Sequence, residues 1–196
     1  MRTVLSALIS LLFPKRPSEH LIDALTELNP HPKGVVLGGT TITYMFSYQT
    51  PVVRALITEA KFHNHTHALR LLGTSLKSAR TNIAATLVSP KPLSPERQRE
   101  RGYNQIEQIL TASSTPYHNR ILKRHERPPQ MKLNRQDRLQ NVADAFYCAA
   151  NAAEQITGKD IVLIDDVVTT GATMAAARAA LARHHPASIT CIALAH

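Results

Sequence analysis

The chain has 196 residues, of which 43% are hydrophobic, and a formal net charge of +9. That is too apolar for a disordered polymer and long enough to bury one core, so one compact α/β domain is expected. No run approaches the length of a membrane span, and the two cysteines, Cys148 and Cys191, form no CxxC pair, which excludes a disulfide framework and a cysteine zinc site. Both read as buried thiols in a reducing cytoplasm.

In chain order, residues 1–13 carry an apolar run followed at once by Pro14-Lys15-Arg16, with no small-residue cleavage site. They read as an amphipathic helix docked on the domain rather than a signal peptide. Residues 40–48, TTITYMFSY, are β-branched and aromatic behind Gly38-Gly39, which predicts a strand after a turn. Pro51 then opens a helix with Val52, Val53, Leu56, Ile57 and Ala60 at helical spacing. His63, His65 and His67 alternate and on a strand would share a face fit for a metal. Between two helices a polar turn is expected instead, and no metal is assigned.

A second helix covers 68–77, with Leu71, Leu72 and Leu76 inward. Residues 83–88 predict a short strand ending at Pro90-Lys91-Pro92, a proline-flanked turn suited to a ligand loop. Helix is expected at 104–110 and 134–142, strand at 120–123 and 145–148. The last third predicts a buried strand at 161–164, a helix at 171–183 and a final strand at 188–195. Strands alternating with helices imply a parallel sheet with right-handed crossovers.

The charge is uneven. Residues 91–138 hold eleven Lys and Arg against five Asp and Glu, six of the nine net positive charges. Such a section suits a phosphate-rich small molecule, a nucleic acid or plain solvent, and composition does not choose among them.

The sharpest signal is Ile161-Val-Leu-Ile-Asp-Asp-Val-Val-Thr-Thr-Gly-Ala-Thr173. Asp165 and Asp166 follow an apolar strand at its carboxyl end, where open α/β sheets bind ligands. They are expected in a loop outside the core. Adjacent carboxylates can accept hydrogen bonds from the 2- and 3-hydroxyls of a ribose. Thr169, Thr170, Gly171, Ala172 and Thr173 lead into a helix whose hydroxyls and N–H groups suit a phosphate. The bland alternative is an Asp-rich turn with a threonine helix cap. The combined order favours a sugar 5-phosphate site. There is no GxxxxGK[ST] loop, and Ser113 and Ser114 lack a nucleophile elbow.

This motif resembles the phosphoribosyl pyrophosphate (PRPP) motif of type I phosphoribosyltransferases. The run from Ser89 through Arg97, Arg99, Arg101, Gly102, Tyr103, Asn104 and Gln105 resembles the corresponding region of the ComF/GntX family. Tyr48, Lys61-Phe62, Arg127-Pro-Pro-Gln130, Arg138, Asn141 and Ala145-Phe146 continue the likeness. It implies a phosphoribosyltransferase fold: a mostly parallel sheet, flanking helices and a small hood near 124–138. It also implies PRPP as ligand, with Mg2+ carried in on it, and a link to competence and DNA uptake. On that resemblance Pro90, Lys91, Pro92, Arg97, Arg101, Lys123, Arg124 and Arg127 are pyrophosphate-loop candidates. The acceptor and the oligomeric state stay open.

Members of that family usually carry a four-cysteine zinc module after a Leu-Phe-Pro start. Leu12-Phe13-Pro14 is present here and the cysteines are not. The chain therefore divides into a metal-free remnant at 1–39 and a phosphoribosyltransferase-like domain at 40–196. The alternative to an enzyme is a non-catalytic accessory that senses PRPP or handles single-stranded DNA with the uptake machinery.

Overall fold

The computed structural model describes residues 15–81, 83, 85–126 and 144–196. The expected helices at 1–13 and 134–142, most of the expected hood, and Arg127, Arg138 and Asn141 lie outside the described residues.

A five-stranded sheet runs in the order β1-β2-β7-β6-β3, formed by β1 (Lys33–Leu37), β2 (Thr40–Phe46), β3 (Leu87–Pro90), β6 (Asp160–Val167) and β7 (Ser188–Ala195). All but β1 are parallel, and β1 pairs antiparallel with β2. The α/β architecture read from the sequence is the one found. A separate antiparallel ribbon joins β4 (Leu122–Arg124) to β5 (Phe146–Cys148). The helices are α1 (Pro17–Asp23), α2 (Pro51–Phe62), α3 (Thr66–Ala79), α4 (Pro95–Arg101), α5 (Gln105–Ala112), α6 (Ala152–Ile156) and α7 (Ala172–Ala182).

Period-two alternation divides the core. Val162, Ile164, Ile192 and Leu194 join a cluster with residues of α2, α3 and α5, while Ile161, Leu163, Cys191 and Ala193 join one with α6, α7 and the ribbon. Each sheet face is thus covered by helices, as a parallel sheet requires. Cys191 is buried; Cys148 is half-buried on the ribbon, so only the first matches the expected burial.

Three departures from the sequence reading have physical causes. The unexpected β1 is a short, largely exposed edge strand of five residues, too short for a period to show, joined to β2 by Gly38 and Gly39 at φ of 56° and 72°. Two consecutive positive φ angles are what a tight two-residue hairpin turn demands. The predicted strand at 83–88 is found only at Leu87–Pro90. Pro90 is tolerated there because β3 is the edge of the sheet and has a ladder partner on one side alone. The arginine-rich stretch before Gly102 is a helix. Ser94 Oγ accepts the Arg97 N–H at 3.3 Å, Pro95 opens the first turn, and Gly102 closes it at φ 76°.

The segment before β1 is held by a buried acid. Glu59 on α2 is fully buried and accepts two hydrogen bonds from Arg16, at 3.0 and 2.6 Å, and a third from the Ser18 hydroxyl. Burial opposes its ionisation, but Arg16 and Ser18 outweigh that and hold its pKa below the ordinary value. His63, Asn64 and His65 form the polar α2–α3 turn. His65 caps α3, its Nδ1 accepting the Ala68 N–H at 3.4 Å. His67 already lies in the first turn of α3 with Nε2 2.8 Å from the Leu25 carbonyl, so the expected turn is two residues shorter than read.

Helix α3 meets α5 at Gly73. A Cβ there would lie 2.7 Å from the Ile109 carbonyl oxygen and 3.0 Å from Ser113 Cβ. Intrinsic propensity favours alanine in a helix by about 1 kcal/mol. Overpacking against a backbone atom costs about 1–3 kcal/mol and outweighs that gain. Gly73→Ala is expected to lower stability in urea melts; an unchanged or raised midpoint would show that the helices separate without cost.

Candidate ligand site at the carboxyl end of the sheet

Strand β6 does not stop at Ile164. Asp165, Asp166 and Val167 continue it along β7, whereas β3 ends opposite Ile164 at Pro90. The two acids are therefore strand residues, 3% and 8% exposed, and the expectation of a solvated loop outside the core is corrected. The ladder to β7 at Asp165↔Ala193 and Val167↔Ala195 holds this last turn of the pleat extended.

Successive strand residues point to opposite faces, so the two carboxylates straddle the end of β6. Each meets its own lysine. Asp165 forms an ion pair with Lys91, whose Nζ also donates to Thr173 Oγ1 at 3.4 Å on α7. Asp166 lies 3.2 Å from Lys61 Nζ at the end of α2 and accepts from Gln105 Nε2 at 2.7 Å on α5. Each carboxylate also accepts the next backbone N–H, from Asp166 at 2.9 Å and Val167 at 2.8 Å.

The two acids titrate in opposite directions. Burial pushes Asp165 up to about 6, with Lys91 acting against it and Asp166 with it. Burial also opposes the charge on Asp166, but Lys61, the Val167 N–H and Lys91 outweigh it and hold its pKa below the ordinary value. At neutral pH both are carboxylates with a cation in place.

Lys91 is fixed from its backbone. Its N–H donates to the Ile164 carbonyl at 2.8 Å, extending the β3–β6 ladder by one bond, and its carbonyl accepts from Asn104 Nδ2 at 3.0 Å. Asn104 is also the N-cap of α5, taking the Ile106 N–H at 3.0 Å. One side chain thus ties the turn after β3 to the helix that carries Gln105.

The loop from Thr169 to Thr173 leads into α7. The Val168 N–H donates to Ala195 at 3.0 Å, Thr169 and Thr170 are exposed, and Thr170 Oγ1 accepts the Ala172 N–H at 3.5 Å. Gly171 is the N-cap, at φ 74°, and a Cβ would fall 2.4 Å from Leu37 Cβ and 2.9 Å from the Leu37 carbonyl carbon. Both facts demand glycine. The first N–H groups of the eleven-residue α7 start here, with the positive end of its dipole.

The predicted basic candidates separate. Lys91 enters the acid pair, and Pro90 ends β3 beside it. Pro92 is half-buried in the turn that follows. In helix α4, Arg97 and Arg101 lie one turn apart on one face. Arg97 is exposed, and Arg101 Nη1 donates to Gln105 Oε1 at 3.1 Å. Lys123 instead lines a polar groove of about 640 Å³ with His118, Arg120, Asn151 and Gln155, and Arg124 lies over the Phe146 ring at 5.3 Å. Lys61 and Gln105, quoted above only for the family likeness, are the functional neighbours that residue spacing missed. No sequence interval links positions 61, 105 and 166; tertiary packing does.

Residues 103–196 match the phosphoribosyl transferase domain family. The chain is 38% identical over 106 residues to competence protein ComFC of Bacillus subtilis (strain 168), an alignment covering 54% of this chain and 42% of that one. It is 40% identical over 83 residues to competence protein ComFC of Streptococcus pneumoniae (strain ATCC BAA-255 / R6), covering 42% and 36%. The chain thus spans less than half the length of these relatives. Among solved structures, it overlaps an allosteric regulatory enzyme of purine biosynthesis with a TM-score of 0.46 at 14% identity, over 81% of this chain and 34% of that one.

The acid pair has a pH signature. Asp165, with its raised pKa, contributes stability that is complete below about pH 4 and lost as pH rises through about 6. Asp166, with its lowered pKa, contributes stability that is present above the ordinary carboxylate range and lost on acidification. The stability of the native chain relative to Asp165→Asn should fall between about pH 4 and about pH 6 in urea melts. Relative to Asp166→Asn it should fall as pH is lowered from that range. Parallel profiles for the two variants would contradict this assignment.

Proposed function

We propose that this chain binds PRPP at the carboxyl end of β6 and transfers its phosphoribosyl group to an acceptor. The observation that carries the reading is the junction of two side chains at one point: Lys91 touches both the buried carboxylate of Asp165 and the hydroxyl of Thr173 at the start of α7. A hydroxyl-accepting group and a phosphate-accepting loop are thereby one lysine apart. The likeness of 103–196 to a phosphoribosyl transferase domain supports it.

In this reading the ribose lies across the end of β6. Its 2- and 3-hydroxyls donate to Asp165 and Asp166, one on each side of the strand. The 5-phosphate takes the Thr169–Thr173 hydroxyls and the N–H groups of α7. Lys91 turns from Asp165 toward the pyrophosphate. The carboxylates are each matched by a lysine, which fits an ion delivered on the substrate rather than one held by the protein alone. Mg2+ bound to the pyrophosphate would offset the charge of the leaving group.

The acceptor nitrogen's lone pair forms the bond to C1 as the C1–O bond breaks. Pyrophosphate leaves with the bonding electrons, and the acceptor's N–H proton passes to solvent. Charge at C1 is oxocarbenium-like in the transition state. The ionised Asp165 and Asp166 then stabilise positive charge on the sugar.

PRPP with Mg2+ should stabilise the chain by about 2.7 kcal/mol at a hundred times its dissociation constant, roughly 5–10 °C in melting temperature. Asp166→Asn should reduce that shift. Pyrophosphate alone should give a smaller one, because it leaves the α7 loop and the acids unused. No shift with millimolar PRPP and Mg2+, or an equal shift with pyrophosphate, would sink the reading.

A further inference from the structure

Phe62 ends α2 with 58% of its surface exposed, immediately after the lysine that pairs with Asp166. Exposed apolar side chains are ordinary singly, and Leu21, Val36 and Tyr147 are exposed too; Phe62 is singled out by its place next to Lys61 and by the cations on its ring. Two cations lie over its ring: the Arg101 guanidinium 5.2 Å from the centroid and Lys61 Nζ 5.8 Å from it. Arg101 has no carboxylate within ion-pair distance among the described residues; its hydrogen bond goes to the Gln105 amide oxygen at 3.1 Å. Gln105 in turn donates to Asp166 at 2.7 Å. An exposed ring and an arginine with no counter-ion among the described residues are therefore linked to the acid pair through one glutamine.

Each feature selects a property of a ligand. A planar ring can stack on Phe62 or on the guanidinium plane, and a saturated ring cannot. A carboxylate can take two N–H donors of Arg101 in the forked geometry that guanidinium offers. Tyr103 holds the corner, its hydroxyl accepting the Asn64 N–H at 2.9 Å and donating to the Ala60 carbonyl at 3.3 Å, so the end of α2 is braced against the turn before α5. The shelf is thus built on supported backbone rather than on a loose loop.

We propose that Phe62 and Arg101 seat the acceptor, and that it is a planar aromatic or heteroaromatic ring carrying a carboxylate. The proposal rests on the phosphoribosyl transfer reading for what the ring does, and on this geometry alone for what it is. Phe62 supplies the stacking face, Arg101 the counter-charge, and Gln105 links both to Asp166.

The test uses matched probes that differ in one property: benzoate, cyclohexanecarboxylate and benzamide, titrated by NMR with and without PRPP and Mg2+. Benzoate should bind about fivefold tighter than cyclohexanecarboxylate and about tenfold tighter than benzamide. Phe62→Leu should abolish the first preference, and Phe62→Tyr should keep it. Arg101→Gln should abolish the second. Equal binding of benzoate and cyclohexanecarboxylate by the native chain would overturn the proposal without any variant. So would a ring preference that survives Phe62→Leu. Displacement of benzoate by a short oligothymidylate at far lower concentration would assign the shelf to a nucleic-acid base and also overturn it. The PRPP melting shift of the native chain is read separately. A shift without ring preference removes the acceptor seat alone; ring preference without a shift removes the transfer reading and leaves an aromatic-acid site.

Discussion

The site depends on one constraint, the period-two alternation of β6. Along Ile161–Ile164 it sends neighbouring side chains into separate cores, one under α7 and one under α2, α3 and α5. The same alternation continues for two residues past the apolar run and does to charge what it did to carbon. Asp165 and Asp166 are adjacent in sequence but meet different helices, different lysines and different fields. Two like charges side by side in a loop would repel across a few ångströms. On the strand each has its own lysine, yet the two still act on one another. Burial and the neighbouring Asp166 raise the pKa of Asp165, while Lys61, the Val167 N–H and Lys91 outweigh burial and lower that of Asp166.

Buried ion pairs are poor sources of net stability, since desolvation consumes much of the Coulomb attraction. Lys61 and Lys91 are better understood as holding the acids ionised and in place. Their own positions are fixed by different means. Lys61 is set by the end of α2, and Lys91 by a backbone bond to β6 and by the side chain that caps α5. The two lysines thus come from separate elements, and Asn104 links them by tying the turn of Lys91 to the helix whose Gln105 holds Asp166.

Much of this was legible in the sequence because its cues are local. The strand and helix on either side of Asp165-Asp166, the glycine at 171, the helix opened by Pro51 and the turn after residue 88 each follow from a few consecutive residues. The failures share a cause. Strand β6 runs three residues past Ile164 because its ladder to β7, which is tertiary, extends it through the two charged residues to Val167. Lys61 and Gln105 carry the family likeness but no local chemical cue, and only packing brings them to Asp166. Arg97, Arg99 and Arg101 stand at every second position, but a Ser-Pro start and a glycine stop coil them into α4, so the three do not share one face. Arg99 then turns away to Glu126 at 2.7 Å.

The Arg16–Glu59 pair also bears on where this chain can be cut. The boundary drawn at residue 39 from the sequence passes through the turn of the β1–β2 hairpin, and Arg16 reaches 43 residues forward to a carboxylate with no exposed surface. A fragment trimmed to residue 40 would keep every residue of the acid pair and of the α7 loop. It would also strip Leu37 from Gly171 and leave Glu59 charged, enclosed and unanswered, two residues before the lysine that serves Asp166. For anyone shortening the chain, residues 15–39 are part of the foundation.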